Sequence, residues 1–172
     1  ISTVCVDQDG VLWIGTNGGD INVFSKGKRV AIYGADDGDL NGNPVQASLC
    51  DTKGNLWFGL FNGGLCYYNR TQKYFRQVFS KDKALIDVRA IYEDDHHTIW
   101  IGTSEGVYKA GLDGQLFLEH YIENEQVRCL FKDEQGFLWV GTFGGGVLVY
   151  SPDFKMIKHF YLSLIHISEP TR

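Results

Sequence analysis

Asp133-Glu134-Gln135-Gly136-Phe137-Leu138-Trp139-Val140-Gly141-Thr142 decides the fold, because the chain writes it three more times. Leu12-Trp13-Ile14-Gly15-Thr16, Leu56-Trp57-Phe58-Gly59-Leu60 and Ile99-Trp100-Ile101-Gly102-Thr103 repeat its centre and use up all 4 tryptophans. Successive tryptophans lie 44, 43 and 39 residues apart. A period near 40 to 50 residues is that of a four-stranded propeller blade.

The repeat reaches well beyond the indole. Six residues before each tryptophan stands an aspartate (Asp7, Asp51, Asp94, Asp133), and three before it Gly10, Gly54, His97 or Gly136. Asp-x-x-Gly suits a tight hairpin, since aspartate bonds nearby backbone N–H groups and glycine accepts positive φ. Glycine returns at Gly18-Gly19, Gly63-Gly64, Gly106 and Gly144-Gly145-Gly146, and leads into the apolar stretches Ile21 to Phe24, Leu65 to Tyr68, Val107-Tyr108 and Val147 to Tyr150. Each unit therefore reads as four short strands; in the fourth they are Val127 to Asp133, Phe137 to Thr142, Gly146 to Tyr150 and Met156 to Tyr161. The expected fold is all-β: a β-propeller fragment of about four blades of four-stranded antiparallel sheet over residues 1–161. One register for every tryptophan predicts core packing. Gly15, Gly59, Gly102 and Gly141 share the indole's face of the strand, where they are expected to leave room for an indole or a neighbouring backbone.

Composition excludes several functions. With 44% hydrophobic and 22% charged residues the chain is an ordinary globular one. Its 21 glycines against 3 prolines predict many tight turns. A formal charge of -5 with scattered Lys and Arg leaves no basic stripe for nucleic acid. No apolar run approaches the roughly 18 residues of a membrane helix. Ile1-Ser2-Thr3-Val4 is neither a methionine start nor a signal peptide, which predicts a segment of something longer. Cys5, Cys50, Cys66 and Cys129 sit at unrelated spacings inside apolar stretches and read as buried free thiols.

Candidate sites are few. Asp37-Gly38-Asp39-Leu40-Asn41-Gly42 opens like a calcium loop, with Asp37, Asp39 and Asn41 as oxygen ligands, but position twelve is Ser48 where a bidentate glutamate is needed. A solvated loop between blades is the favoured reading, with no metal. His96 and His97 adjoin in a turn, and His120 and His159 stand alone, which gives no metal-ligand spacing. One aspartate per blade in fixed register argues for turn formation rather than catalysis. In a propeller the loops joining second to third strands open on the same face as the interblade connections. Here they carry Asn17, Phe61, Asn62, Ser104, Glu105 and Phe143, beside the connections 36–43, 81–86 and 123–126. Aromatic rings with amide and carboxylate neighbours suit a sugar, whose C–H face stacks while its hydroxyls form hydrogen bonds.

Asp-x-x-Gly-x-Leu-Trp-Ile-Gly-Thr, a Gly-Gly turn and an apolar strand ending in Tyr or Phe resemble the two-component regulator propeller repeat, best in the first and fourth copies. Departures are His97 for glycine, Leu60 for threonine and the single Gly106. The resemblance implies seven-bladed propellers in tandem in the periplasmic sensor region of an inner-membrane hybrid histidine kinase, in a homodimeric parent protein. It further implies sensing of oligosaccharides and signalling to a kinase that lies outside this chain. No cofactor and no chemistry by the segment itself are expected. The alternatives are a protein-interaction propeller without a small ligand and, behind it, a propeller enzyme of lyase or quinoprotein type, for which no acids, bases or metal ligands cluster. Residues 162–172, Leu-Ser-Leu-Ile-His-Ile-Ser-Glu-Pro-Thr-Arg, break the repeat and read as a non-native tail resembling a translated sequencing adapter.

Overall fold

A computed structural model of the chain describes residues 1–70, 72–78, 87–111, 117–123 and 125–161. Sixteen strands among them form four antiparallel sheets of four, each in simple sequence order. Blade 1 holds β1 (Thr3–Val6), β2 (Leu12–Gly15), β3 (Ile21–Ser25) and β4 (Lys28–Tyr33); blade 2 holds β5 (Val45–Cys50), β6 (Leu56–Leu60), β7 (Gly64–Asn69) and β8 (Tyr74–Val78). Blade 3 is β9 (Val88–Glu93), β10 (Ile99–Thr103), β11 (Gly106–Gly111) and β12 (Phe117–Glu123), and blade 4 is β13 (Val127–Lys132), β14 (Leu138–Thr142), β15 (Gly146–Tyr150) and β16 (Met156–Phe160). First strands lie beside one another from blade to blade: β1 against β5, β5 against β9 and β9 against β13. No described helix is long and apolar enough to cross a membrane.

The Asp-x-x-Gly segments make the first hairpin of every blade, and each aspartate has two tasks. Its Oδ1 accepts the backbone N–H groups two and four residues on, as Asp7 does from Asp9 at 3.0 Å and Val11 at 2.9 Å, with the same pair repeated at Asp51, Asp94 and Asp133. Its Oδ2 accepts the indole N–H of the tryptophan six residues later, at 3.0, 3.0, 2.9 and 2.8 Å for Trp13, Trp57, Trp100 and Trp139. The aspartate thus satisfies the one polar atom of a ring sunk into apolar surroundings. Turn position four takes positive φ in all copies: 73° at Gly10, 81° at Gly54, 84° at Gly136 and 59° at His97. His97 therefore keeps the glycine geometry at the steric expense of a Cβ.

Three apolar cores lie between blades. Trp13, Ile21 and Val23 of blade 1 meet Val45, Leu56 and Phe58 of blade 2. Trp57 and Leu65 meet Val88, Ile99 and Ile101 of blade 3, and Trp100 and Val107 meet Val127, Leu138 and Val140 of blade 4. The tryptophan face of each of the first three blades is thus covered by the next. What fills the space over the Trp-x-Gly glycine is neither an indole nor primarily backbone, contrary to expectation. A Cβ on Gly15, Gly59 or Gly102 would come within 2.6, 2.6 or 2.5 Å of Cγ1 of Val45, Val88 or Val127, the valine that opens the next blade's first strand. The glycine is a notch for that valine.

The cysteines are free, but buried describes only Cys66; Cys5 and Cys50 are half-buried and Cys129 is exposed. Cys129 pairs with Gly141 on the tryptophan face of blade 4, which no described blade covers. Burial pushes the Cys66 thiol up to about 12 and the Cys5 thiol up to about 11, so both stay protonated.

Candidate functional site at the loop end of the blades

Strand register places the variable loops. Thr3, Gly15, Ile21 and Tyr33 form one row across blade 1, so the β2–β3 loop, the start of β1 and the exit of β4 share one end, opposite the Asp-x-x-Gly hairpins. The same holds in the other blades, where Val45, Leu60 and Gly64, or Val127, Thr142 and Gly146, stand in line. Asn17, Phe61, Asn62, Ser104, Glu105 and Phe143 therefore all lie at this loop end.

Asn17, Phe61, Ser104 and Phe143 occupy one structural position, four residues after the tryptophan. In blades 2 to 4 its backbone N–H donates to the carbonyl just before the first strand: Phe61 to Pro44 at 2.8 Å, Ser104 to Asp87 at 3.1 Å and Phe143 to Gln126 at 2.8 Å. Phe61 and Phe143 are exposed, Phe143 to 65%. Asn17 and Asn62 are exposed, while Ser104 and Glu105 are half-buried. The threonine of Trp-x-Gly-Thr closes its loop: Thr103 donates to the Gly106 carbonyl at 3.0 Å and Thr142 to that of Gly146 at 3.0 Å. Blade 2 has Leu60 there. From outside, Gln77 Nε2 donates to the Gly63 carbonyl and His159 Nε2 to the Gly145 carbonyl, both at 2.5 Å. His159 thus props a candidate loop.

The interblade connection 34–44 packs into the same end. A Cβ on Gly19 would strike the Gly42 carbonyl, and one on Gly63 would lie 2.7 Å from Asn43 Nδ2. The calcium-like loop folds as a 3-10 turn, Gly38–Leu40. Asp37 Oδ2 accepts the Gly34 N–H at 2.7 Å, Asp39 Oδ2 accepts the Gln77 N–H at 2.7 Å, and Asn41 Nδ2 donates to the Asp39 carbonyl at 3.1 Å. Position twelve, Ser48, lies in β5 and shares a 2.7 Å hydrogen bond with Thr3 Oγ1. These oxygens serve loop geometry, and among the described residues no three His, Cys, Asp or Glu side chains gather to hold a metal ion. Connection residues 81–86, Asn124, the His120 side chain and residues 162–172 lie outside the described residues.

A second ring of residues escaped sequence reasoning. Gln46, Arg89 and Arg128, each eleven residues before its tryptophan, are the second residues of β5, β9 and β13, and the pairing register shifts at each of them. Such bulges re-aim a side chain and concentrate at sheet rims and functional sites. Ser2 holds the same position in blade 1, where its backbone N–H donates to the Gly15 carbonyl at 3.0 Å. Aligning the repeats upstream of the aspartate exposes this column, but its residue types vary too much to announce themselves. The Arg128 guanidinium lies 4.6 Å from the centre of the Phe143 ring. Arg89 Nε donates to Asp87 Oδ2 at 2.7 Å. Burial first, then the Glu105 and Glu123 carboxylates, push the Tyr108 phenol up, keeping it a hydroxyl.

A repeated four-stranded blade whose tryptophan face is covered by its successor, with variable loops at one end, defines a β-propeller. The family model described as the two component regulator propeller matches residues 1–18, 39–62, 85–105 and 121–144, one segment per blade. The chain belongs to the two-component regulator propeller family. No curated protein matches it. Among solved structures it is similar to the extracellular domain assigned to the hybrid two-component system BT3049 from B. thetaiotaomicron, with 45% identity and a TM-score of 0.81 over 93% of this chain and 22% of that one. The extracellular domain assigned to the hybrid two-component system BT4673 of the same organism aligns over 96% of this chain and 22% of its own at 21% identity, TM-score 0.77. Virginiamycin B lyase from Staphylococcus aureus aligns over 95% of this chain and 56% of its own at 14% identity, TM-score 0.73. At such identities the last two share the fold alone. The chain spans about a fifth of the length of the two sensor domains.

Proposed function

We propose that this chain is the ligand-receiving part of an extracytoplasmic, periplasmic sensor propeller in a homodimeric hybrid two-component histidine kinase, and that it takes an oligosaccharide at the loop end without catalysing a reaction. The observation that carries this reading is the contrast between the two ends of the blades. The hairpin end repeats one Asp-Trp hydrogen-bond unit four times. The loop end varies from blade to blade, with Asn17, Phe61, Ser104 and Phe143 at one equivalent position and the two phenylalanine rings exposed. Loops on a rigid scaffold are where binding specificity resides, and an aromatic face beside amides and carboxylates matches the alternating apolar and hydroxyl surfaces of a sugar. The family and the 45% identical extracellular domain support the sensor role.

The test replaces Phe61, Asn62, Glu105 and Phe143 singly by alanine in the full-length protein and measures oligosaccharide binding by calorimetry, with Asp51→Ala as contrast. The loop variants weaken binding and leave the melting temperature nearly unchanged. Asp51→Ala lowers stability by about 1–3 kcal/mol, because it strands the buried Trp57 N–H, and leaves affinity alone. Unaltered affinity in all four loop variants refutes this placement and favours a protein partner or another part of the receptor.

A further inference from the structure

We propose that Asp87, Arg89 and Gln46 form the polar floor of a site for a neutral saccharide at the loop end, where they take a pair of vicinal hydroxyls; this rests on the oligosaccharide reading above. Asp87 is 4% exposed, immediately before β9, and its carbonyl accepts the Ser104 N–H of the neighbouring candidate loop. Its Oδ2 is taken by Arg89. The other carboxylate oxygen, Oδ1, is buried without a hydrogen-bond partner, and so are Arg89 Nη1 and Gln46 Oε1. Three such atoms, two on one ion pair and the third at the equivalent position of the adjoining first strand, are unusual, since buried polar groups are almost always paired. Each lone group destabilises the fold, and a completing partner recovers that loss.

The unused atoms specify that partner. Oδ1 and Oε1 need donors and Nη1 needs an acceptor. A hydroxyl is both, and two hydroxyls on adjacent carbons present donor and acceptor together. An anionic group would meet the Asp87 carboxylate and an ammonium the Arg89 guanidinium, so the neutral ion pair selects against both. Arg89 keeps 15% of its side chain exposed, which leaves an approach from solvent. Phe61 on blade 2 and Phe143 on blade 4, on either side of this blade, offer the apolar faces that a sugar ring stacks on. The bulges at Gln46 and Arg89 are what turn these side chains out of the ordinary strand alternation.

The experiment uses the full-length protein and calorimetry with neutral disaccharides of glucose, galactose, mannose and arabinose, then the 2-deoxy, 3-deoxy and uronic acid analogues of the best binder. Asp87→Asn and Arg89→Gln are each expected to weaken the best binder at least about tenfold, and the wild type to reject one deoxy analogue by a similar factor, since a site built for a hydroxyl discriminates strongly against its absence. In Asp87→Asn that discrimination shrinks. Gln46→Leu and Arg89→Lys give the same comparison if either first variant fails to fold, with melting temperatures recorded throughout. A neutral sugar bound equally by wild type and these variants overturns the inference, leaves the loop-end reading standing and assigns the unpaired atoms to a resident water. Preference for the uronic acid analogue also overturns it. No binding by any sugar overturns both readings.

Discussion

Trp57 and Trp139 occupy the same register in their blades and each donates to the aspartate six residues before it, Asp51 or Asp133, yet they live in different surroundings. Trp57 is completely buried between blades 2 and 3, as Trp13 and Trp100 are buried in their own interfaces. Trp139 is half-buried, with the stacked Phe160 ring 6.1 Å away for company. Blade 1 shows the complementary defect. Val4, Val6, Val30 and Ile32 are exposed on the face opposite Trp13, whereas the matching faces of blades 2 and 4, carrying Leu56 and Phe58 or Leu138 and Val140, are buried. A blade therefore folds its own hydrogen bonds without help but obtains its core from its neighbours, the nearest-neighbour energetics of repeat proteins.

The largest expected effect separates the two tryptophans. Trp57→Ala should lower stability by about 3–5 kcal/mol, the range for emptying a buried indole site. Trp139→Ala in this chain should lose only about 1–2 kcal/mol, because part of its area already meets solvent. Denaturant titration measures both. In a longer protein with a blade following residue 161, the Trp139 loss should rise to match that of Trp57, and equal losses in the present chain would show that the last face is covered here too.

A smaller effect concerns acid. Burial alone would raise the Asp94 carboxyl, but the Trp100 indole N–H, the Lys132 ammonium at 2.9 Å and the Thr98 N–H outweigh it and hold the group at about 2. Its folded value lies below the ordinary 3.8, so its stabilising contribution is fully present above about pH 4 and disappears as pH falls toward 2. Lys132 belongs to blade 4, and among the described residues no following blade offers Asp133 a counterpart. Lys132→Met should therefore move the acid midpoint of Asp94 upward while leaving Asp133 unaffected, as read by carboxyl NMR titration. An unmoved Asp94 midpoint would assign its low value to the indole and backbone N–H groups alone.

The smallest effect is none at all. Deleting residues 163–172 should leave the melting temperature and the Trp139 environment unchanged, since no strand pattern continues there. A measurable loss of stability would mean that Ile165 and Ile167 pack on the bare face of blade 4, and would show that the tail is native.

The repeat made the architecture legible. Four tryptophans in one context set blade number and register, and the expected strands of blade 4 differ from the observed ones only at their ends. The loop end was legible too, because antiparallel hairpins alternate ends by necessity. Interblade contacts were not. The valine that fills the Trp-x-Gly notch lies 25 to 30 residues after the glycine, and no local pattern couples the two. Cys129 looked like its apolar neighbours; its exposure depends on a blade rather than on its own strand. Gln46, Arg89 and Arg128 stayed hidden because a bulge is a backbone event, and the column they share with Ser2 has no common residue type.

Covering each tryptophan with the next blade also gives the fold a clock. At about 5–20 residues per second of synthesis, the 44 residues between Trp13 and Trp57 take about 2–9 s to emerge. For that interval a finished sheet waits with its indole face open at the ribosome. Besides the outer face of blade 1, a nascent propeller of this kind presents one open indole face, always at the growing end, and that face is the natural station for a holding chaperone.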